Sequence, residues 1–205
     1  DLSSDTAVVV KPGGISYTFT FDRADRLVSV EDLMGNTTRV EYDAAGRRTA
    51  VYDPMGNAVK WEYDALNRVK TRINPIGART SYEYDVAGRV TKVSDAAGNV
   101  NTFTYDLLGR ITEIKDARSS VKKFSYNKLG KVIESTDPTG RISKWEYDLA
   151  GRTIAQTDPA GSKVAYKYDS IGALTGVTGS DGSEWKLEYD PVGRITKVVN
   201  PMGYE

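Results

Sequence analysis

Hydrophobic and polar positions alternate along short segments of this chain, and tight-turn residues separate the segments. Val59, Trp61 and Tyr63 fall on one face of an extended segment. Lys60 and Glu62 fall on the other face. A period of two over strand length predicts a half-buried β-strand.

The segments that follow each of these strands are shorter and less regular. Val90 and Val93 are three positions apart and would face opposite ways in a regular strand. Either both faces of these strands are partly buried, or a bulge next to the turn resets the phase. The pattern leaves both alternatives open.

Two turn signatures separate the strands, as in Asp43–Gly46 and Asp53–Gly56. Both are typical of type I turns, in which an Asp side chain caps the turn backbone and Gly takes the left-handed conformation that follows. Asp25 and Asn67 replace Gly in the first turn, and both residue types tolerate positive φ. Ser119 replaces Gly in the second turn and is a weaker fit, which predicts a local irregularity.

An aromatic residue followed by Asp or Asn recurs every 21 residues. The nine copies are Phe21-Asp22, Tyr42-Asp43, Tyr63-Asp64, Tyr84-Asp85, Tyr105-Asp106, Tyr126-Asn127, Tyr147-Asp148, Tyr168-Asp169 and Tyr189-Asp190. A single hairpin cannot bury its aromatic row, but stacked neighbours can. Open twisted sheets rarely exceed about ten strands without curling. The sequence therefore predicts an all-β fold, in which tandem 21-residue β-hairpin repeats form one curved, spiralling antiparallel sheet.

The repeat register sets the expected domain organisation. Residues 21–205 form one domain of nine repeats, and residues 1–20 form a partial repeat in which Pro12 and Gly14 occupy second-turn positions. No polar, atypical capping repeat closes either end, as solenoid edges normally require. The chain is therefore expected to be a piece of a longer array.

Composition and charge remove several function classes. The 28 basic and 28 acidic residues balance, so no electrostatic signature for nucleic acid or an anionic membrane is present. The chain has no His and no Cys, and no segment approaches the roughly 18 apolar residues of a membrane span. From these absences we expect no cofactor, no metal site, no nucleic-acid partner and no membrane insertion by this segment. We also expect that the chain is not an enzyme, because a repeat singles out no carboxylate pair for catalysis.

The repeat unit resembles a known family. The stretch Tyr84–Arg89 reads aromatic-Asp-x-x-Gly-Arg and Asp53–Asn57 reads Asp-Pro-x-Gly-Asn, a pattern similar to the Rhs or YD repeat over nearly the whole chain. In that family the repeats build a hollow cocoon around a toxic C-terminal domain in bacterial polymorphic toxins and toxin complexes, and related repeats form the barrel of teneurins. These 205 residues contain no counterpart of the family's self-cleaving aspartyl-protease segment and no toxic domain.

The resemblance implies a structural shell segment of a large secreted or surface-delivered bacterial protein. Its partners would be the remaining repeats and the cargo domain of the parent polypeptide. With nine repeats, a strip or partial ring is expected rather than a closed shell. The predicted structural repeat positions are Tyr42, Asp43, Gly46, Arg47, Tyr63, Asp64, Tyr84, Asp85, Gly88, Arg89, Tyr105, Asp106, Gly109, Arg110, Tyr147, Asp148, Gly151 and Arg152.

Three recurring sets of side chains have alternative interpretations. The turn aspartates cap their own turns or bind calcium, and the first interpretation fits the turn position. The arginine row forms paired ladders or an anion site, with the turn aspartates and Glu41, Glu62, Glu83 and Glu146 as candidate partners and tyrosine rings as stacking surfaces. The aromatic side chains either pack in the core or line the lumen of the shell, or they form a binding surface in which Trp61, Trp145 and Trp185 contact extracellular glycans or proteins.

Overall fold

The computed structural model describes residues 5–10 and 16–204 of the chain, which fall into two compact units, Asp1–Thr102 and Phe103–Glu205. Each unit is an antiparallel array of short strands, and the described residues include no helix. Accordingly, no helix in the described part is long and apolar enough to cross a membrane. Pro12 and Gly14 lie outside the described residues, so the partial repeat predicted there stays a prediction.

The strands of the first unit alternate between five and six residues. They are β1 (Thr6–Val10), β2 (Ser16–Phe21), β3 (Leu27–Asp32), β4 (Thr37–Tyr42), β5 (Arg48–Tyr52), β6 (Ala58–Tyr63), β7 (Val69–Ile73), β8 (Arg79–Tyr84) and β9 (Val90–Ser94). β10 (Val100–Tyr105) crosses the boundary of the units. From β2 to β10, each strand pairs antiparallel with the strand that precedes it in the chain.

The second unit repeats this order. Its further strands are β11 (Ile111–Lys115), β12 (Val121–Tyr126), β13 (Val132–Thr136), β14 (Ile142–Tyr147), β15 (Thr153–Thr157), β16 (Lys163–Tyr168), β17 (Leu174–Thr178), β18 (Glu184–Tyr189) and β19 (Ile195–Val199). From β11 onward each strand pairs antiparallel with the next. The prediction of an all-β array of tandem hairpins is confirmed.

A β-bulge accounts for the irregular pattern of the shorter strands. Tyr84 lies opposite Val90 and Glu83 lies opposite Lys92, so Thr91 is the extra residue. The same shift recurs in the other first-turn hairpins whose register is described. The bulge brings Val90 and Val93 into the phase of the aromatic face, and β9 is also half-buried at all five positions, so both alternatives that the sequence left open hold.

The turns follow the predicted chemistry, including at the exceptions. Asp25, Asn67 and Ser119 have φ of 56°, 63° and 64°, in the left-handed region that Gly occupies in the other turns. Ser119 therefore keeps the turn geometry, and the local irregularity predicted there is absent. Residue type changes at these positions, but the backbone conformation does not.

The sheet in each unit is a single layer with a minimal core. Within each unit, strand contacts are confined to neighbours in sequence. Among the described apolar side chains only Ala50 and Ala155 are buried, with Thr71 as their polar counterpart. Ala50 lies between Glu41 and Lys60, so long charged side chains on adjacent strands cover it. Stability must therefore come from contacts between adjacent hairpins.

Candidate functional site

The first turn of most repeats is built around an aspartate, and Asn127 takes that position in one repeat. The backbone N–H of Gly46 donates to the carbonyl of Asp43 (3.0 Å), and the N–H of Asp43 donates to the carbonyl of Arg47 (2.9 Å). Oδ1 of Asp43 accepts the N–H groups of Ala45 (3.0 Å) and Arg47 (2.9 Å). Gly46 has φ of 80°, which an L-residue adopts only with strain. Asp and Gly are thus selected by the turn itself.

The arginine at the end of the turn holds this aspartate and reaches the next repeat. Nε of Arg47 lies 2.7 Å from Oδ2 of Asp43, and the guanidinium carbon lies 4.7 Å from the ring centroid of Tyr63. One terminal nitrogen also donates to Oδ1 of Asn67 (2.7 Å) and to the carbonyl of Asp64 (3.4 Å). The planar guanidinium can stack on Tyr63 and donate these hydrogen bonds at the same time, because the ring lies against its face and the N–H groups point from its edge.

The stacked tyrosine makes the return contact. The hydroxyl of Tyr63 donates to the carbonyl of Arg48 (2.6 Å), fifteen residues earlier in the chain. The Asp43, Arg47 and Tyr63 side chains therefore join two successive hairpins, and we refer to this arrangement as the clasp. Its tyrosine hydrogen bond recurs at Tyr42, Tyr84, Tyr126, Tyr147, Tyr168 and Tyr189.

The clasp recurs with nearly constant geometry. The distance from the guanidinium carbon to the ring centroid is 4.7 Å for Arg26 on Tyr42, 4.5 Å for Arg68 on Tyr84, 4.6 Å for Arg110 on Tyr126 and 4.8 Å for Arg152 on Tyr168. Ion pairs within the turn also join Asp85 to Arg89 and Asp190 to Arg194. The hydroxyl of Tyr189 still donates to the carbonyl of Leu174 although Ala173 occupies the arginine position. The hydrogen bond is therefore a separable part of the clasp.

The electrostatics favour the charged form of the aspartate and the neutral form of the tyrosine. The backbone N–H of Arg47, followed by its guanidinium, holds the pKa of Asp43 below its ordinary value, although desolvation acts in the opposite direction. Burial raises the pKa of the Tyr84 hydroxyl, which stays protonated and donates to the carbonyl of Val69 (2.7 Å). Both pKa shifts favour the protonation states in which these hydrogen bonds form.

These contacts bear on the calcium and anion alternatives. Both carboxylate oxygens of Asp43 already accept hydrogen bonds from its own turn and from Arg47. No group of three or more His, Cys, Asp or Glu side chains within the described ranges is placed to hold a metal ion. Arginines of the row bind turn aspartates, which leaves no row of uncompensated positive charge.

The strand glutamates Glu41, Glu62, Glu83 and Glu146 do not pair with the arginine row, contrary to the prediction that they are candidate partners of these arginines. Glu62 binds Arg79 (2.7 Å), Glu83 binds Lys92 (2.8 Å) and Glu146 binds Lys163 (2.6 Å), while Glu41 accepts the hydroxyl of Tyr52 (3.2 Å). Each of these glutamates alternates with the tyrosine next to it, so it points to the opposite face of the strand.

A family model for the teneurin YD-shell matches residues 59–204. The chain belongs to the teneurin YD-shell family. A second model, for the RHS repeat, matches residues 21–58 and 42–75. No curated protein matches the chain. The Rhs/YD-repeat membership predicted from the sequence is confirmed, and the clasp gives the physical reason why Tyr, Asp, Gly and Arg recur together in these YD-shell repeats.

Several solved structures resemble the YD-shell chain distantly. The TcdB2-TccC3-Cdc42 crystal structure is 15% identical, with 90% of this chain and 15% of that chain covered and a TM-score of 0.44. The Photorhabdus luminescens Tc holotoxin pore is 15% identical, with 94% and 15% covered and a TM-score of 0.45. A porin-like protein from Bacteroides uniformis is 16% identical, with 94% and 86% covered and a TM-score of 0.30. The YD-shell chain thus spans about 15% of the two toxin chains, and TM-scores this low support no functional argument.

The three tryptophans lie on the aromatic face but differ in exposure. Trp61 lies opposite Arg72 and Trp145 opposite Gln156, and both tryptophans are half-buried in mid-strand. Trp185 lies opposite Val177 near the second-turn end, where 46% of its surface is exposed. Trp185 is therefore the most accessible of the candidate glycan contacts.

The sequence alone did not predict the tyrosine hydrogen bond. Its acceptor is a main-chain carbonyl, and residues as different as Arg48, Val69 and Thr153 occupy that position. No side-chain pattern marks the acceptor. A signal does exist in the constant 21-residue period, which places each tyrosine over the same backbone position of the preceding repeat.

Proposed function

We propose that this YD-shell chain is a structural scaffold segment of a larger secreted or surface-delivered bacterial protein, and that its repeats help to enclose a cargo domain of the same polypeptide. The clasp is the observation that carries this proposal. Within each unit it links successive hairpins without a second layer or a deep core. Such an array makes a wall rather than a catalytic cleft.

The family membership supports the scaffold role, and the proposed organisation follows from it. Residues 21–205 act as one run of nine repeats, preceded by a partial repeat in residues 1–20. The remaining repeats of the parent polypeptide are the direct partners of the run, and the cargo is an indirect one. The chain itself performs no reaction in this proposal, because its recurrent carboxylates are held by turn backbone and arginine rather than poised for proton transfer.

Limited proteolysis of the parent polypeptide tests the enclosure. The cargo domain should resist cleavage under conditions that degrade the same domain expressed alone. Replacing the clasp arginines Arg47, Arg68 and Arg110 by Ala should restore cleavage, because the wall then opens between repeats. Replacing the exposed Arg141 and Arg194, which pair with aspartate but stack on no described ring, is the matched control. Equal cleavage of the free and the joined cargo would contradict the proposal.

The exposure of Trp185 supports a second candidate function, the binding of an extracellular glycan. An accessible indole can stack on the apolar C–H face of a sugar ring, because it offers a large apolar surface together with an N–H donor. Acrylamide quenching of single-tryptophan variants separates the two candidates. Glycan binding predicts free quenching at Trp185 and protection by added oligosaccharide, with Trp61 unaffected. If no oligosaccharide alters the quenching at Trp185, the scaffold function stands alone.

A further inference from the structure

One hairpin of the array lacks three side chains that the other hairpins have. Each described hairpin that closes through a second turn has three recurring positions: the clasp residue before its first strand, the third residue of that strand, and the residue that begins the turn. From β3–β4 to β15–β16, seven such hairpins fill these positions with Arg or Lys, a residue other than Gly, and Asp or Asn. The hairpin of β17 and β18 has Ala173, Gly176 and Gly179 instead.

The clasp of this hairpin has lost its arginine. In the preceding hairpin, Arg152 pairs with the aspartate of its first turn (2.6 Å) and stacks on Tyr168, 4.8 Å from the ring centroid. It thereby joins the start of β15 to the end of β16. Ala173 can make neither contact, and the hydrogen bonds described for the Asp169 carboxylate come from two backbone N–H groups, both to Oδ1. The hydrogen bond from the Tyr189 hydroxyl is the part of the clasp that remains.

A glycine occupies the buried centre of β17. Gly176 lies opposite Lys186 and takes the position that Ala155 holds in β15. Glycine within a strand has no side chain to pack and loses more conformational freedom on folding than any other residue. A Cβ at Gly176 would stand 3.5 Å from the Lys167 side chain and 3.6 Å from the Trp185 carbonyl, which are ordinary contacts, and the backbone is not in the left-handed region. The local geometry therefore does not require glycine.

The turn that joins β17 to β18 also lacks its usual cap. In the preceding hairpin, Oδ1 of Asp158 accepts the N–H groups of the second and fourth residues after it (2.8 and 2.9 Å). Gly179 has no side-chain oxygen, and Asp181 accepts the N–H of Ser183 (2.9 Å) from within the turn. The two backbone hydrogen bonds of the turn remain, at 2.8 and 3.0 Å. This hairpin thus keeps its backbone pairing but has fewer side-chain contacts to support it.

We propose that the pairing of β17 with β18, which we call the seam, is a built-in opening point of the array, at which β18 and β19 leave the sheet together while β11 to β17 stay folded. Segments with few supporting contacts open at low free energy. A two-stranded hairpin is marginal by itself, so β18 and β19 also lose their mutual hydrogen bonds once they separate from β17. The proposal concerns the array itself and does not rest on enclosure of a cargo.

Native-state amide hydrogen exchange of the 205-residue chain, read residue by residue, tests this proposal. The amides of β18 and β19 should exchange as one group, at least about tenfold faster than the equivalent amides of β16 and β17, because arginine contacts, a strand side chain and a turn cap are missing together. Ordinary fraying of a chain end predicts a different pattern, in which exchange slows strand by strand from β19 to β16.

Two matched variants exchange the residues of neighbouring hairpins. The restored variant carries the residues of the preceding repeat, namely Ala173→Arg, Gly176→Ala, Gly179→Asp and Asp181→Ala. The last change makes room, since a Cβ at Gly179 would stand 2.9 Å from Oδ1 of Asp181. The transplanted variant carries the reverse changes one repeat earlier, Arg152→Ala, Ala155→Gly and Asp158→Gly. Circular dichroism verifies that each variant folds.

In the restored variant, the amides of β18 and β19 should exchange at least about tenfold more slowly than in the unmodified chain. In the transplanted variant, the amides of β16 and β17 should exchange as fast as those of β18 and β19. Exchange that slows gradually from the chain end, or a folded restored variant with unchanged rates, would overturn the proposal. Should the restored variant not fold, Gly176→Ala alone decides: slower exchange confined to β18 and β19 supports the seam, and unchanged exchange refutes it.

Discussion

The clasp predicts that arginines in chemically identical ion pairs contribute very different amounts to stability. Arg110 and Arg141 lie in the second unit, and both bind an aspartate four residues earlier, at 2.6 and 2.7 Å. Arg110 also stacks on Tyr126 and donates to the carbonyl of Asn127 (2.9 Å). The side chain of Arg110 is 26% exposed, whereas that of Arg141 is 66% exposed.

The expected magnitudes follow from these contacts. Arg110→Ala loses an ion pair worth about 0.5 kcal/mol, a hydrogen bond worth about 1 kcal/mol and a cation–π contact worth about 0.5–1 kcal/mol. The free energy of unfolding should fall by about 2 kcal/mol. Arg141→Ala loses an exposed ion pair and should cost at most about 0.5 kcal/mol. Arg110→Lys keeps the charge but not the planar stack, and an intermediate loss of about 1 kcal/mol is expected.

Urea unfolding followed by circular dichroism measures these differences, with the midpoint and slope compared between variants. An unchanged slope ensures that a shift in the midpoint reports stability. Equal losses for Arg110→Ala and Arg141→Ala would refute the clasp as a stabilising unit. Arg110→Lys as stable as the unmodified chain would show that charge alone, and not stacking, is responsible.

Three further outcomes are expected. Tyr147→Phe should lower the free energy of unfolding by about 1 kcal/mol in urea unfolding because it removes the hydrogen bond to the Val132 carbonyl, whereas Tyr166→Phe, whose hydroxyl bonds to no described residue, should change it little. Ser119→Gly should raise the melting temperature and Gly151→Ala should lower it, each by the equivalent of about 1 kcal/mol, because both positions have positive φ. The lowered pKa of turn aspartates such as Asp43 means that their contribution to stability is complete above the unfolded pKa of about 3.9 and is lost as pH falls through the lower folded value. Melting temperature should therefore be nearly constant from about pH 5 to 8, with no His to titrate, and fall below about pH 4; a fall already complete by pH 5 would contradict this assignment.

Much of the fold is predictable from the sequence because its determinants are local. The conformation of nearly every turn depends on an Asp or Asn oxygen and on a residue that tolerates positive φ, and both lie within five positions. Asp25 and Asn67 could be placed in the left-handed region from residue type and register alone, and the structure confirms both. Ser119 could not, because residue type alone favoured an irregularity there, whereas its φ of 64° keeps the turn. The alternation in the six-residue strands is also local, since it depends only on the period of two.

Part of the site was accessible in the same way. Pairing of the arginine row with turn aspartates, and stacking on a neighbouring tyrosine, could be anticipated because both partners recur at fixed distances along the chain. The sequence could not show that these arginines pair with the turn aspartates and not with the strand glutamates. Glutamate recurs at the position of Glu62 in five of the nine repeats, but Glu62 lies on the other strand face and binds Arg79.

The tertiary structure decided the features that depend on how neighbouring strands are aligned. The bulge at Thr91, the tyrosine hydrogen bond to a main-chain carbonyl and the exposure of Trp185 all follow from strand pairing. Apolar residues in the turns are visible in the sequence, but only the structure shows that side chains such as Met55 and Leu149 stay exposed. Local chemistry therefore determined which elements form, and alignment between them determined which atoms meet, because a backbone carbonyl or an exposed tip carries no signature in its own residue type.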